Sequence, residues 1–396
     1  MIYLVSRDSK LFTSPFYKKL SIEEALQKVS QWDIVQFDTE TSGRDPHICK
    51  LLCYQLGNDS TDERIVVDAQ QFPITLFKEI LESKLLVGHN LKFDIGFLFQ
   101  YEIIPTKVWD TMIVEQLLHL GFSPATFKVS LKEVAHRRLG IEIDKSVRGE
   151  IIWRGLDENV IIYAANDVVH LEKIRNQQFK ECKYTKCLNG ALLENKFVIS
   201  MAYLEWCGIH LSEVKWRTKM QKDQEANTNA INALNNWAVQ YSMQHPDFPK
   251  MYKIPEPSLF EEFNTGPECC VNWSSSQQVI PIMEALGFKV DSEDKKTGKA
   301  KKSVQEKVIA KQKGINDEFL NLYFKVKETE IVCNTFGQKY LDSINPITGR
   351  IHTTFKQLGA SSGRMSCGST QENTDLKKLK KLTKGNCTYP QIGVRF

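Results

Sequence analysis

The stretch Ile34-Val35-Gln36-Phe37-Asp38-Thr39-Glu40 is an apolar run that ends in two carboxylates. Read as a strand, its period of two puts Asp38 and Glu40 on one face. Two further segments carry the same chemistry. Asn90-Leu91-Lys92-Phe93-Asp94 follows Leu85-Leu86-Val87-Gly88, a short buried-strand pattern, and opens a helix reading Phe93, Phe97, Leu98. Tyr163-Ala164-Ala165-Asn166-Asp167 falls on a helix predicted from Asp157 to Ile174, where i, i+4 spacing sets Tyr163 and Asp167 on one face. Four carboxylates converging on one point repel and raise each other's pKa unless cations neutralise them. Two divalent ions about 3.5–4 Å apart do so, and such a pair clamps the attacking and leaving oxygens of a phosphodiester. Oxygen ligands favour Mg²⁺ or Mn²⁺ over zinc. The pattern implies a nuclease. His89 is read as structural support rather than a general base, and a tyrosine hydroxyl can hold a water without taking its proton.

The surrounding composition permits this. A chain of 396 residues is expected to hold two or three domains, and 42% hydrophobic with 25% charged residues excludes wholesale disorder. The formal charge of +4 names no partner, but lysines cluster late, at Lys295, Lys296, Lys299, Lys301, Lys302 and Lys307 and again at Lys377, Lys378, Lys380, Lys381 and Lys384. Such runs suit either a solvated face or phosphate contact. The ten cysteines show no metal spacing and no signal peptide precedes them, so reduced thiols in a cytoplasmic protein are expected. No stretch approaches the 18 or so apolar residues of a membrane span.

Residues 1 to about 182 alternate strands and helices. Strands are expected at Ile2–Val5, Ile34–Phe37, Ile48–Leu56, Arg64–Val67 and Leu85–Gly88. Helices are expected at Ile74–Glu82, Phe93–Tyr101, Thr111–Leu120, Leu131–Leu139 and Asp157–Ile174. A three-strand meander followed by β-α alternation gives an α/β fold of RNase H-like order, a mixed sheet with flanking helices. A mainly helical region follows over 188–344, interrupted at Gly208, with helix patterns at Ser276–Leu286, Val304–Lys311 and Leu320–Leu341. Pro246–Thr265 reads as a loop, and Asp291–Lys302 as a mobile basic loop. Residues 345–396 open with the strand-and-turn stretch Arg350–Phe355 and a Gly/Ser-rich loop.

These segments resemble the DEDDy 3'–5' exonuclease domain attached to family A (Pol I-like) DNA polymerases. Phe37-Asp-Thr-Glu-Thr-Ser-Gly43 resembles the first motif and Val87-Gly-His-Asn-Leu-Lys-Phe-Asp94 the second. Trp109-Asp-Thr-Met resembles a helix start between them; Leu139-Gly140, Asp144-Lys145 and Tyr163-Ala-Ala-Asn-Asp167 resemble the third. The resemblance implies that Asp38, Glu40, Asp94 and Asp167 bind two metal ions, that Tyr163 orients the nucleophilic water, and that Thr41 and Asn90 lie near the 3'-terminal nucleotide. Later, Glu205-Trp-Cys-Gly-Ile209 is similar to the start of the family's thumb, and Phe263-Asn264 with Ser274-Ser275-Ser276-Gln277-Gln278 to its Asn-x-x-Ser-x-x-Gln turn. Asn345–Thr353 and Gly359-Ala-Ser-Ser-Gly-Arg-Met-Ser366 resemble the beginning of a palm. There the resemblance implies contact of Arg350, Arg364 and Ser366 with template or primer backbone.

The family's Pro-Asn-Leu-Gln-Asn segment survives only as echoes at Ser369–Asn373 and Tyr389–Ile392, and its nucleotide-adding palm and fingers motifs do not occur in the sequence. The expected function is a proofreading-type 3'–5' exonuclease acting on single-stranded 3' ends of DNA, in a compact polymerase of bacteriophage type without a 5'-nuclease, with no polymerisation by this chain alone. The alternatives are a DEDD enzyme that trims RNA, sensing the 2'-OH, and one half of a split polymerase that grips primer–template for a separate palm–fingers polypeptide.

Overall fold

The computed structural model describes residues 1–121, 127–143, 152, 155–255, 266–293, 300–310, 312 and 314–367. Asp144-Lys145, Phe263-Asn264, Lys295, Lys296, Lys299, the Lys377–Lys384 run and the echoes at Ser369–Asn373 and Tyr389–Ile392 lie outside the described residues. The chain divides into two compact units: Met1–His210 together with Asn345 onward, and Leu211–Ile344.

The first unit is built on a seven-stranded sheet, β1 (Ile2–Val5), β2 (Lys18–Lys19), β3 (Ile34–Thr41), β4 (Leu51–Asn58), β5 (Glu63–Asp68), β6 (Leu85–Gly88) and β7 (Lys107–Asp110), in the order β2-β1-β5-β4-β3-β6-β7. β3, β4 and β5 form an antiparallel meander, while β6 and β7 join parallel to β3, so the sheet is mixed as expected. The two-residue β2 and the strand β7 at the opposite edge escaped the sequence reading.

Helices cover both faces. On one lie α1 (Ile22–Ser30), α2 (Lys78–Ser83) and α3 (Leu91–Leu98), whose Ala25, Leu81, Leu91, Ile95 and Leu98 bury against Val35, Phe37, Leu56, Val67 and Leu86. On the other lies α6 (Glu158–Val168), seated through Val160, Ile161, Ala164 and Ala165 on Leu4, Cys53 and Val66. The two alanines add no bulk, so α6 approaches the sheet closely. α4 (Thr111–Leu118), α5 (Leu131–Leu139) and α7 (Leu171–Tyr184) pack around Val87 and Trp109.

The helix expected from Asp157 to Ile174 is two, broken between Val168 and Leu171 without glycine or proline. The second start is stabilised from afar. The Gln36 side-chain oxygen accepts from Glu172 N at 3.1 Å, and the Glu172 carboxylate accepts from Asp59 N at 3.3 Å.

Asp110 ends β7 and caps α4, accepting from Met112 N at 2.9 Å and Ile113 N at 3.4 Å, and from Asn90 N at 3.0 Å. Its carboxyl is fully buried, and burial pushes it up to about 6 although these hydrogen bonds pull it down. Because this exceeds the unfolded value of about 3.9, the folded state holds the proton longer. The resulting stability is complete below about pH 4 and lost as pH rises through about 6. Asp110→Asn removes that titration. The unfolding free energy of the parent minus that of the variant, measured by urea titration, should fall by on the order of 2 kcal/mol between pH 4 and neutrality. A flat difference would refute the assignment.

After α8 (Leu188–Cys207), β8 (Ile209–His210) pairs antiparallel with β13 (Arg350–Ile351), returning the late segment to the first unit. Lys92 Nζ contacts Glu205 Oε1 at 2.5 Å and donates to the Phe355 carbonyl, while Glu205 Oε1 accepts from Phe355 N at 2.6 Å. Gln357 Nε2 donates to the Glu194 carbonyl at 2.8 Å, and Asn345 Nδ2 to Asp45 Oδ2 at 3.2 Å.

The second unit rests on α9 (Glu213–Gln244) packed against α12 (Asp317–Phe336), with Leu234, Trp237, Phe319, Tyr323 and Val326 in its core. The long helix expected over Leu320–Leu341 stops at Gly337 and resumes at Gln338; a Cβ at Gly337 would lie 2.3 Å from the Cys333 carbonyl oxygen. The expected helix at Val304–Lys311 is confined to Glu306–Ile309. Within the first expected loop Tyr252–Lys253 pairs with Glu268–Cys269 beyond it, and the ends of the second pair as a ribbon, Asp291–Glu293 with Ala300–Lys302. Among the described residues the cysteines are free thiols, and no helix is long and apolar enough to cross a membrane.

Candidate active site

Asp38 and Glu40 project from β3 toward α6, opposite Gln55 and Cys53 of β4. The strand register shifts between Glu40 and Thr41, and such an irregularity bends a strand and re-aims its side chains. Asp167 comes to the same place from α6. Carboxylate oxygens of Asp38, Glu40 and Asp167 lie within 4.8 Å of one another, each residue partly exposed. Three hard, anionic donors at that spacing fit a divalent cation of the Mg²⁺ or Mn²⁺ class.

Tyr163, one turn before Asp167, is half-buried beside them. Its phenol is raised above its ordinary range by burial first, then by the charges of Asp167 and Glu40 and a hydrogen bond to Asp167. It therefore stays protonated at neutral pH and donates to the carboxylate. Tyr163 also borders a groove with Glu142, Ile143, Asn159, Asn166 and His170.

Asp94 is placed differently from the other three carboxylates. β6 ends at Gly88, where a Cβ would sit 2.9 Å from the Phe37 carbonyl oxygen, and Asn90 turns the chain through the left-handed region at φ 67°. Asp94 then falls in the first turn of α3, 2% exposed, with Oδ1 accepting from Thr39 Oγ1 at 2.6 Å. It is not in the three-carboxylate group. Burial pushes it up to about 8, opposed by the Thr39 hydrogen bond and reinforced by the charges of Asp110 and Glu40. The influence of Glu40 places the Asp94 carboxyl within electrostatic reach of the group.

The residues expected to touch nucleic acid have varied surroundings. Thr41 is buried and donates to the Gly43 carbonyl at 2.6 Å; Asn90 N donates to Asp110. Arg350 spends its guanidinium on the carbonyls of Cys207 at 2.5 Å and Gly208 at 3.2 Å, joining β13 to the end of α8. Arg364 is exposed, and Ser366 lies half-buried in β15 (Ser366–Cys367). His89 Nδ1 hydrogen-bonds Thr111 Oγ1 at 2.9 Å, in line with structural support.

Sequence reasoning missed Glu115. It lies fully buried on α4, with Oε1 on Arg137 at 3.2 Å and Oε2 accepting from Arg138 Nε and Gln178 Nε2, both at 2.9 Å. Gln178 also accepts from Trp109 Nε1 at 3.1 Å. The signal available was a lone acid on the apolar face of a helix, with an Arg-Arg pair on the next.

Residues 15–181 match the family model described as 3'-5' exonuclease, a span that contains all five residues of the acidic constellation. These residues are a 3'-5' exonuclease domain. The chain is 24% identical over 403 aligned positions to DNA polymerase I of Aquifex aeolicus, covering 95% of this chain and 61% of the relative. It is 23% identical to DNA polymerase I of Borreliella burgdorferi, covering 91% of this chain and 37% of the relative. Among solved structures, the POL domain of Pol1 from M. smegmatis, in complex with DNA primer-template and dNTP, matches with a TM-score of 0.64 at 14% identity, over 94% of this chain and 55% of that one. The exonuclease domain is thus of the DNA polymerase I kind, and the remainder shares the fold of a family A polymerase. The chain spans about three fifths of the Aquifex relative and little more than a third of the second.

Proposed function

We propose that this chain removes nucleotides from the 3' ends of DNA by two-metal-ion hydrolysis, as the proofreading part of a family A polymerase. The observation that carries the reading is the group of Asp38, Glu40 and Asp167 inside the exonuclease domain, with Tyr163 hydrogen-bonded to its edge. Asp38, Glu40 and Asp167 would hold one ion, and Asp94 would join them for the second. Bound there, the ions supply the positive charge that offsets the carboxylates and lets water act as nucleophile near neutral pH.

The protein's own groups do the rest. Tyr163, kept protonated, is unsuited to act as a base; its hydroxyl donates to Asp167 and its oxygen remains an acceptor that can orient a water. The groove of Ile143, Asn166 and His170 beside it would take the terminal nucleotides, and the exposed Arg364 would meet phosphate. A primer–template is the proposed DNA partner of the polymerase-like remainder.

Digestion of 5'-labelled single-stranded DNA and RNA by the full chain, with Mg²⁺, Mn²⁺ or chelator, tests this reading. Stepwise shortening of DNA that stops on chelation is expected; preference for RNA would overturn the substrate. Tyr163→Phe keeps the ring but loses the hydroxyl, and should lower the cleavage rate by about 10–100-fold with little change in DNA affinity. Equal loss of affinity would place the tyrosine in substrate binding instead.

A further inference from the structure

Thr39 stands between the two carboxylates of its strand yet faces the other way. It shares the sheet face of Val35 and Phe37, which α3 covers, and is 6% exposed. From there its hydroxyl reaches Asp94 Oδ1 at 2.6 Å. Once a bound cation holds the Asp94 carboxyl ionised, a hydroxyl donating to it at that distance makes a charge-assisted bond, stronger and more directional than a neutral one. Because Asp94 is itself 2% exposed, water has little access to replace the donor. One strand therefore places three carboxylates: it displays Asp38 and Glu40 directly and grips Asp94 through the residue between them.

We infer that Thr39 is a positioning residue for divalent-cation binding, its hydroxyl fixing the Asp94 carboxylate for the ion. This rests on the reading of Asp94 as a metal ligand. Outer-shell hydrogen bonds of this sort orient the ligating atom, and their loss typically costs about 10–100-fold in metal affinity or activity. A valine at this position fills the same volume without a donor, whereas a serine restores the donor.

The test uses the full chain carrying Thr39→Val, Thr39→Ser, Thr39→Ala or Asp94→Asn, with Mn²⁺ binding measured by calorimetry. Thermal midpoints and the Mn²⁺ dependence of DNA digestion are recorded alongside. Thr39→Val should weaken Mn²⁺ binding and raise the half-saturating Mn²⁺ concentration by about 10–100-fold, with KM for DNA unchanged at saturating metal. Thr39→Ser should bind as the parent does. If valine is not accommodated, Thr39→Ala carries the same expectation. Parent-like Mn²⁺ binding in the folded donor-less variant, or a serine variant as weak as valine, overturns the inference. If Asp94→Asn binds Mn²⁺ as tightly as the parent, Asp94 is not a ligand and the underlying reading fails. Loss in Asp94→Asn without loss in Thr39→Val defeats only the role of Thr39.

Discussion

Replacing both Asp38 and Glu40 with alanine is expected to abolish exonuclease activity, by about a thousandfold or more. Two of the three carboxylates grouped within 4.8 Å disappear, leaving Asp167. Asp167, alone in that group and with Asp94 held at Thr39, binds a divalent ion weakly and cannot fix it against a scissile phosphate. The same substitution relieves repulsion among like charges in a partly exposed site, so the folded protein should be at least as stable as the parent. Both measurements are needed: gel-resolved digestion of 5'-labelled DNA with Mg²⁺, and the thermal midpoint without metal. Parent-like digestion by the variant would remove the group from the chemistry. A marked fall in midpoint would recast the carboxylates as structural.

Glu115→Ala is expected to act in the opposite way, through stability. The carboxylate is fully buried and accepts from two arginines and a glutamine that belong to α5 and α7. Desolvation makes such a group a poor source of net stability compared with apolar packing. Removing one partner, however, leaves the remaining charges in a site shaped for a carboxylate, which typically costs about 3–5 kcal/mol. At about 2–4 °C per kcal/mol for a unit of this size, the thermal midpoint should fall by roughly 10 °C. Glu115→Gln, which keeps the shape and part of the hydrogen bonding, should lose less. Near-identical midpoints for parent and alanine variant would show that Arg137 and Arg138 find other partners at no cost.

The contrast between these sites explains what the sequence could disclose. Asp38 and Glu40 were legible because a strand alternates by two, and Tyr163 with Asp167 because a helix repeats near four. Such periodicities are local, and they survive without knowledge of neighbours. Asp94 was legible as a residue but not as a geometry. Convergence on one point was expected, whereas α3 lies on the face of the sheet opposite α6, and the Asp94 carboxylate bonds Thr39 beneath its strand. The break after Val168 was invisible because Gln36, far away in sequence, meets the new helix start. Arg350 read as a phosphate-seeking cation, yet its guanidinium serves two backbone carbonyls. In each case the deciding partner lies more than fifty residues away in sequence, where no local pattern reports it.

The pairing of β8 with β13 and the contacts around Glu205 bear on the order in which this protein is made. Residues 345–358 leave the ribosome only after all of Leu211–Ile344 has been synthesised, yet they belong to the first unit. Until Phe355 arrives, Glu205 and Lys92 face water with half of their hydrogen bonds unmade. Chains fold from the amino terminus as they emerge, so the sheet and its carboxylates can assemble early while their last staple waits. The exonuclease unit is begun before Leu211–Ile344 is made and receives its late strand after it.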